Sequence, residues 1–227
     1  MSTILAVVAH PDDETLGVGG TLARHAARGD TVHILTLGDG VMARYAERTE
    51  EANDDIERRR DRASQAADTL GATSTTFEEF PDNEFDNVSL LTLTQRIEEA
   101  IEHHTPDIIY THHYGDLNID HERTCRAVLT ATRPLADMPV EEVLAFETLS
   151  ASEWSTPEAS NAFQPTTFVD IEDTLETKLD AMDAYADELR DPPHPRSREA
   201  IEQNARLWGH KTGFKAAEAF EELRHRW

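Results

Sequence analysis

The sequence predicts an α/β fold in which helices cover both faces of a mainly parallel sheet, a three-layer αβα arrangement. Two observations carry the expectation. Short apolar runs of strand length alternate along the chain with longer segments of helical spacing. The first run, residues 4–9 (Ile-Leu-Ala-Val-Val-Ala), is apolar without interruption, as in a parallel strand buried on both faces.

The elements follow in order. Residues 10–14 form a loop, and 15–28 read as a helix stopped by Gly29. Residues 32–37 are a second strand. Residues 50–70 are a long charged helix stopped by Gly71, and 75–80 are a third strand. Leu90, Leu93, Ile97 and Ile101 fall at helical spacing within a helix over 90–104; Pro106 stops it, and 108–111 form a short strand. Residues 120–132 are the next helix, and 143–146 and 168–171 are further strands. Residues 175–189 and 199–224 read as helices, the second interrupted by Gly209 and Gly213. The run Asp191-Pro192-Pro193-His194-Pro195 is a turn leading into that last helix. There is no internal repeat and no linker-like composition, so 1–227 is expected to form one domain.

Composition narrows the function. The formal net charge of −24 disfavours nucleic acid and anionic membranes as partners. No stretch is apolar for long enough to span a bilayer, and the N-terminal run lacks the basic flank of a signal peptide. A single cysteine, Cys125, rules out an intrachain disulfide, and a cytoplasmic location is expected. Lysine occurs only at 178, 211 and 215. An acidic, lysine-poor surface is expected of a protein that works in concentrated salt, where self-repulsion is screened.

In open parallel sheets, chemistry gathers at the carboxyl ends of the strands. Two acid- and histidine-rich loops fall there. His10-Pro11-Asp12-Asp13-Glu14 follows the first strand and offers an imidazole and neighbouring carboxylates, nitrogen and oxygen donors of the kind zinc takes. Adjacent carboxylates do not easily share one ion, so one is expected to bind it and the other to face the water. Acids at a helix start also satisfy free N–H groups and the dipole, but that leaves the histidine unexplained. Asp116-Leu117-Asn118-Ile119-Asp120-His121, preceded by His112 and His113, follows the strand over 108–111. There Asp120 fits a helix cap and His121 a third ligand; His112 and His113 fit packing or surface positions as readily as a site.

Together these motifs resemble the PIG-L/LmbE-like family of zinc-dependent N-deacetylases. Ala9-His10-Pro11-Asp12-Asp13-Glu14 matches its N-terminal signature. Weaker likeness extends over Asp116 to His121, Pro81-Asp82-Asn83-Glu84-Phe85-Asp86, Phe146-Glu147-Thr148-Leu149-Ser150 with Glu153-Trp154, and Gly213 with Ala217-Glu218-Ala219-Phe220. The resemblance implies a Rossmann-like domain in which His10, Asp13 and His121 hold Zn2+ or another divalent metal, with Asp12 as general base. Arg59 and Asp82 stand where the family places substrate-binding residues. Glu14 would brace the motif loop, and Asp120 would orient His121.

Two positions depart from the pattern. The familiar His-x-x-His of the second motif has Asn118 as its first member here, and asparagine donates a hydrogen bond but carries no charge. Oxyanion stabilisation is then expected from Asn118 with help from His112 or His113. Arg62 stands where a glutamate often follows the arginine of the long helix. The implied substrate is an N-acetylated sugar or glycoconjugate, and relatives often form trimers or hexamers. Rival readings are a metal-binding module without turnover and an amidase acting on a non-sugar conjugate. Gly17-Val18-Gly19-Gly20 is a weak case for a dinucleotide loop: the glycines lie inside the helix and the turn before them carries three acids.

Overall fold

The computed structural model describes residues 1–156, 158 and 161–226. Strands β1 (Thr3–Val8), β2 (Thr31–Gly38), β3 (Ser74–Phe80), β4 (Ile108–His112) and β5 (Glu142–Phe146) run parallel. Strands β6 (Thr167–Asp170) and β7 (Ala217–His225) complete the sheet in the order β3-β2-β1-β4-β5-β7-β6, with β7 antiparallel to both neighbours. The helices are α1 (Asp13–Ala27), α2 (Glu50–Leu70), α3 (Leu90–His104), α4 (Ile119–Ala131), α5 (Leu175–Asp183) and α6 (Arg198–Thr212).

The uninterrupted apolar run of β1 is explained by its central place. Ile4, Ala6 and Val8 pack with residues of α1, α2, α5 and α6 on one face. Leu5, Val7 and the following Ala9 pack with α3 and α4 on the other. Alternate side chains of a strand point to opposite faces, so a strand covered on both sides must be apolar throughout. The result is the three-layer, Rossmann-like α/β arrangement.

Local chemistry sets most helix ends. Thr49 caps α2 by accepting from the Ala52 N–H at 3.2 Å, and Ser89 caps α3 by accepting from Thr92 at 3.1 Å. Gly71 closes α2 with φ 76°, a left-handed conformation that favours glycine. Inside α1, a Cβ on Gly17 would lie 2.0 Å from Phe146 and one on Gly20 2.7 Å from Ile171. These glycines therefore let the helix lie close on its neighbours, and they do not form a phosphate loop.

The C-terminal segment departs from the helix expected over 199–224 with interruptions at Gly209 and Gly213. Helix α6 ends at Thr212, Gly213 reverses the chain, and Ala217–His225 is a strand inserted between β5 and β6. Alanine and glutamate favour helix, but two sheet edges offered to Ala217–His225 outweigh that propensity. The strand also carries Glu218 inward to brace α1. Its buried carboxylate accepts from the Gly20 and Thr21 N–H groups and pairs with Lys178 at 2.6 Å. The helix expected over 175–189 likewise ends early, at Asp183.

Chain order makes the sheet reverse beside β1. The sequence β1, β2, β3 proceeds to one edge, and β4 then returns to the free side of β1. The loops leaving β1 and β4 thus emerge side by side, at the crevice where doubly wound sheets hold their ligands.

Candidate metal centre

The two strand ends are joined directly. The Ala9 N–H donates to His112 Nε2 at 2.9 Å, across 103 residues of sequence. Beyond Ala9 the chain turns sharply, with Asp12 at φ 120° and ψ −25°. Such backbone costs a non-glycine residue on the order of 1–3 kcal/mol and persists only when its surroundings over-determine it. They do: the Asp12 carbonyl accepts from Thr15 and Leu16, and its N–H donates to Glu14 Oε2 at 3.1 Å. Glu14 is itself buried and accepts from Tyr185 and Thr15, each at 2.7 Å. Burial, offset by those two hydroxyls, raises its pKa to about 7.

His10, Asp13 and His121 come together, all buried, each offering a donor atom within 4.8 Å of the others. His10 Nδ1 and His121 Nε2 both lie 3.4 Å from Asp13 Oδ2. Ligands about 2.1 Å from a tetrahedral ion stand roughly 3.4 Å apart, so the spacing suits a shared cation. Asp13 Oδ1 and both ring nitrogens of His121 have no hydrogen-bond partner among the described residues, and buried polar atoms seldom remain so without a bound group. The donor set, its spacing and its orphaned atoms fit a divalent metal.

Each histidine is backed by a carboxylate. Asp120 Oδ2 bonds His10 Nε2 at 2.8 Å, with Asp82 Oδ1 3.1 Å from the same nitrogen. Asp120 also accepts from the Asn83 and Phe85 N–H groups, at 2.6 and 2.9 Å. Asp116 Oδ1 stands 3.2 Å from His121 Nδ1, while Asp116 Oδ2 accepts from Ser152 Oγ at 2.6 Å. This corrects the expectation for Asp120: it orients His10, and Asp116 is the residue behind His121. Asp120 and His121 are consecutive on a helix, so their side chains diverge.

These carboxylates make the pocket favour positive charge. Burial pulls His10 down, but bonds to Asp120, Asp13 and Asp82 raise it well above its usual value. Burial likewise opposes protonation of His121, yet Asp13 and Asp116 raise it to about 9. Asp13, which burial alone would raise, is held well below the carboxylate range by His121 and His10.

Asp12 faces the other way. Its Oδ2 receives Arg59 Nη2 at 3.2 Å and Arg196 Nη1 at 3.1 Å. Arg59 reaches it from the buried face of α2 and is itself gripped by Glu188 and the Pro11 carbonyl. Burial still leaves the Asp12 pKa raised, with Arg196 and Arg59 opposing the shift.

His112 and His113 separate as neighbours at a strand end do. The His112 ring stacks on His121 at 3.9 Å between centroids. Burial and His121 push its pKa down to about 4, so it is a neutral acceptor for Ala9. His113 bonds Glu221 at 2.7 Å and the Asn161 carbonyl at 2.9 Å. Strand alternation turns it to the opposite face, so the role expected for it at the oxyanion is not supported. Asn118 caps α4, its Oδ1 accepting from the Asp120 N–H at 2.9 Å, which orients its NH2 group away from that bond. Three residues of the site had no role assigned from sequence: Asp116, Glu188 and Arg196. Asp116 at least sits in the second motif. Glu188 and Arg196 carry no local signal, because they lie 129 and 184 residues from the groups they hold.

Known proteins bear on this arrangement. The family described as PIG-L, GlcNAc-PI de-N-acetylase, matches residues 5–132, which contain both motif loops, Arg59 and Asp82. A 1D-myo-inositol 2-acetamido-2-deoxy-alpha-D-glucopyranoside deacetylase of Rhodococcus jostii (strain RHA1) is 45% identical over 58 residues, 23% of this chain. That match spans only 20% of the relative's length. The uncharacterized deacetylase YaiS of Escherichia coli (strain K12) is 28% identical over 185 residues, covering 79% of this chain and 88% of its own. Among solved structures, the N,N'-diacetylchitobiose deacetylase of Pyrococcus horikoshii superposes with a TM-score of 0.79 at 18% identity. It covers 98% of this chain and 84% of its own, a likeness of fold.

Proposed function

The chain belongs to the PIG-L de-N-acetylase family, and from that premise we propose that it hydrolyses the N-acetyl group of an amino sugar or sugar conjugate. The observation that carries the proposal is the division between two adjacent carboxylates. Asp13 joins His10 and His121 as a ligand set, while Asp12 is excluded from that set and stays beside it. A metal hydrolase needs both: a ligand and a base.

His10, Asp13 and His121 would hold zinc, or another divalent ion that accepts nitrogen and oxygen donors. When bound, the ion supplies Lewis acidity toward the amide carbonyl and toward water, whose pKa falls to roughly 7. Asp12 takes the proton of the attacking water and returns it to the departing nitrogen, so that acetate and a free amine leave. Burial favours that exchange, because it makes the carboxylate more basic. Asn118 donates its amide N–H to the developing oxyanion. Asp82, beside His10, and Arg59, beside Asp12, would contact the sugar, as in the family's pattern. Relatives named for an inositol glycoside and for diacetylchitobiose support a sugar as the amine.

The test is release of free amine from a panel of N-acetylated sugars in concentrated salt, the condition favoured by the charge of −24. Zinc-loaded protein should release amine, chelated protein should not, and Asp12→Asn should lose most of the turnover. Metal-loaded, folded protein that releases amine only from non-sugar amides would move the assignment to an amidase. Release from none would leave a metal-binding module.

A further inference from the structure

Arg196 lies outside the family match of residues 5–132, yet its guanidinium ends on Asp12. The segment that carries it closes on itself: the Arg190 N–H donates to the Arg196 carbonyl at 3.2 Å, and the Arg196 N–H donates to His194 Nδ1 at 3.0 Å. Ser197, next in sequence, is the buried cap of α6, its Oγ accepting from the Ala200 N–H at 3.1 Å. The backbone of Arg196 is thus fixed on both sides.

The side chain is fixed as well. Its Nε donates to Ser150 Oγ at 2.6 Å, and Nη1 reaches Asp12 Oδ2 at 3.1 Å. Ser150 has φ 68°, a left-handed conformation rare for serine, and its N–H is held by Glu153 Oε1 at 2.6 Å. A strained residue persists where its neighbours over-determine it; here the strain presents a hydroxyl to Arg196. The same turn joins the metal centre, because Ser152 Oγ donates to Asp116, the carboxylate behind His121. One turn, residues 150–152, thus carries both the hydroxyl that meets Arg196 and the hydroxyl that holds Asp116 beside His121.

From this geometry we infer that Arg196 is the positioning residue of the base: it and Arg59 grip one oxygen of Asp12 and leave Oδ1 to exchange the proton. The inference rests on the reading of Asp12 as the base. Two donors converging on a single oxygen fix the carboxylate's rotation, which matters because misplacing a catalytic group by about 1 Å can cost on the order of a hundredfold in rate. Arginine suits the position, since its rigid fork serves Ser150 and Asp12 at once.

Two measurements test it. The first needs no turnover: thermal midpoints of chelated parent, Asp12→Asn, Arg196→Gln and the double variant. Coupling is expected, with Arg196→Gln shifting the midpoint far less in the Asp12→Asn background than in the parent. The second is steady-state kinetics on the best amide. Arg196→Gln should lower kcat by roughly tenfold or more while KM stays within about twofold and bound metal is unchanged, and Arg196→Lys should recover part of the loss. Additive midpoint shifts overturn the inference whatever the turnover. So does a rise in KM at constant kcat, which would make Arg196 a substrate contact. Coupled shifts in a parent that hydrolyses no amide overturn the deacetylase reading instead.

Discussion

Asp13 looks onto histidines and Asp12 looks onto arginines, although the two are adjacent. On the histidine side, His121 and His10 hold the Asp13 carboxylate ionised, with Asp120 bonded to the His10 ring and Asp116 beside the His121 ring. On the arginine side, Arg59 and Arg196 meet Asp12, and burial nevertheless raises its pKa. Paired titratable groups pushed in opposite directions commonly mark a division of roles. What separates them is backbone: the left-handed turn at Asp12 and the helical start at Asp13 send one side chain to each wall of the crevice.

The sharpest way to break this comparison is on the histidine side. His121→Ala removes a donor that Asp13 and His10 alone do not replace, so bound metal and turnover should both fall to the chelated level, read by metal analysis and amine release. Asp12→Asn should do the reverse in part: full metal content with kcat reduced by about 10²–10⁴, the range of general base catalysis. Loss of metal in Asp12→Asn would erase the distinction between the two sides. Asp120→Asn should weaken metal binding by about 10–100-fold in a chelator competition, because it loosens His10. The smallest catalytic effect is expected of His113→Gln, which cuts the bond to Glu221 away from the crevice; kcat should stay within about twofold while the thermal midpoint drops by a few degrees, roughly the loss of one buried charge-assisted bond.

The legibility of the molecule follows the range of the interactions. Helices α2 and α3 were readable because the residues that stop them, Gly71 and Pro106, sit within a turn of the helix ends. The first metal motif was readable because His10 and Asp13 share one loop with Asp12. Strand β7 was not readable: its alanines and glutamates favour helix, and their reason for being extended is the pair of sheet edges on either side. The partner of Asp120 was misassigned for a related cause, since the nearest histidine in sequence is not the nearest in space.

By itself the sequence determined the α/β class, the order of most elements and the residue types at the head of β1 and β4, because periodicity, caps and loop chemistry act over a few residues. Tertiary structure alone decided which face His112 and His113 take, which carboxylate backs which ligand, and that Glu188 and Arg196 reach the pocket of Asp12. Those choices depend on strand order and on loops brought together from far along the chain, and sequence spacing carries no distance between segments that meet only when the sheet is complete.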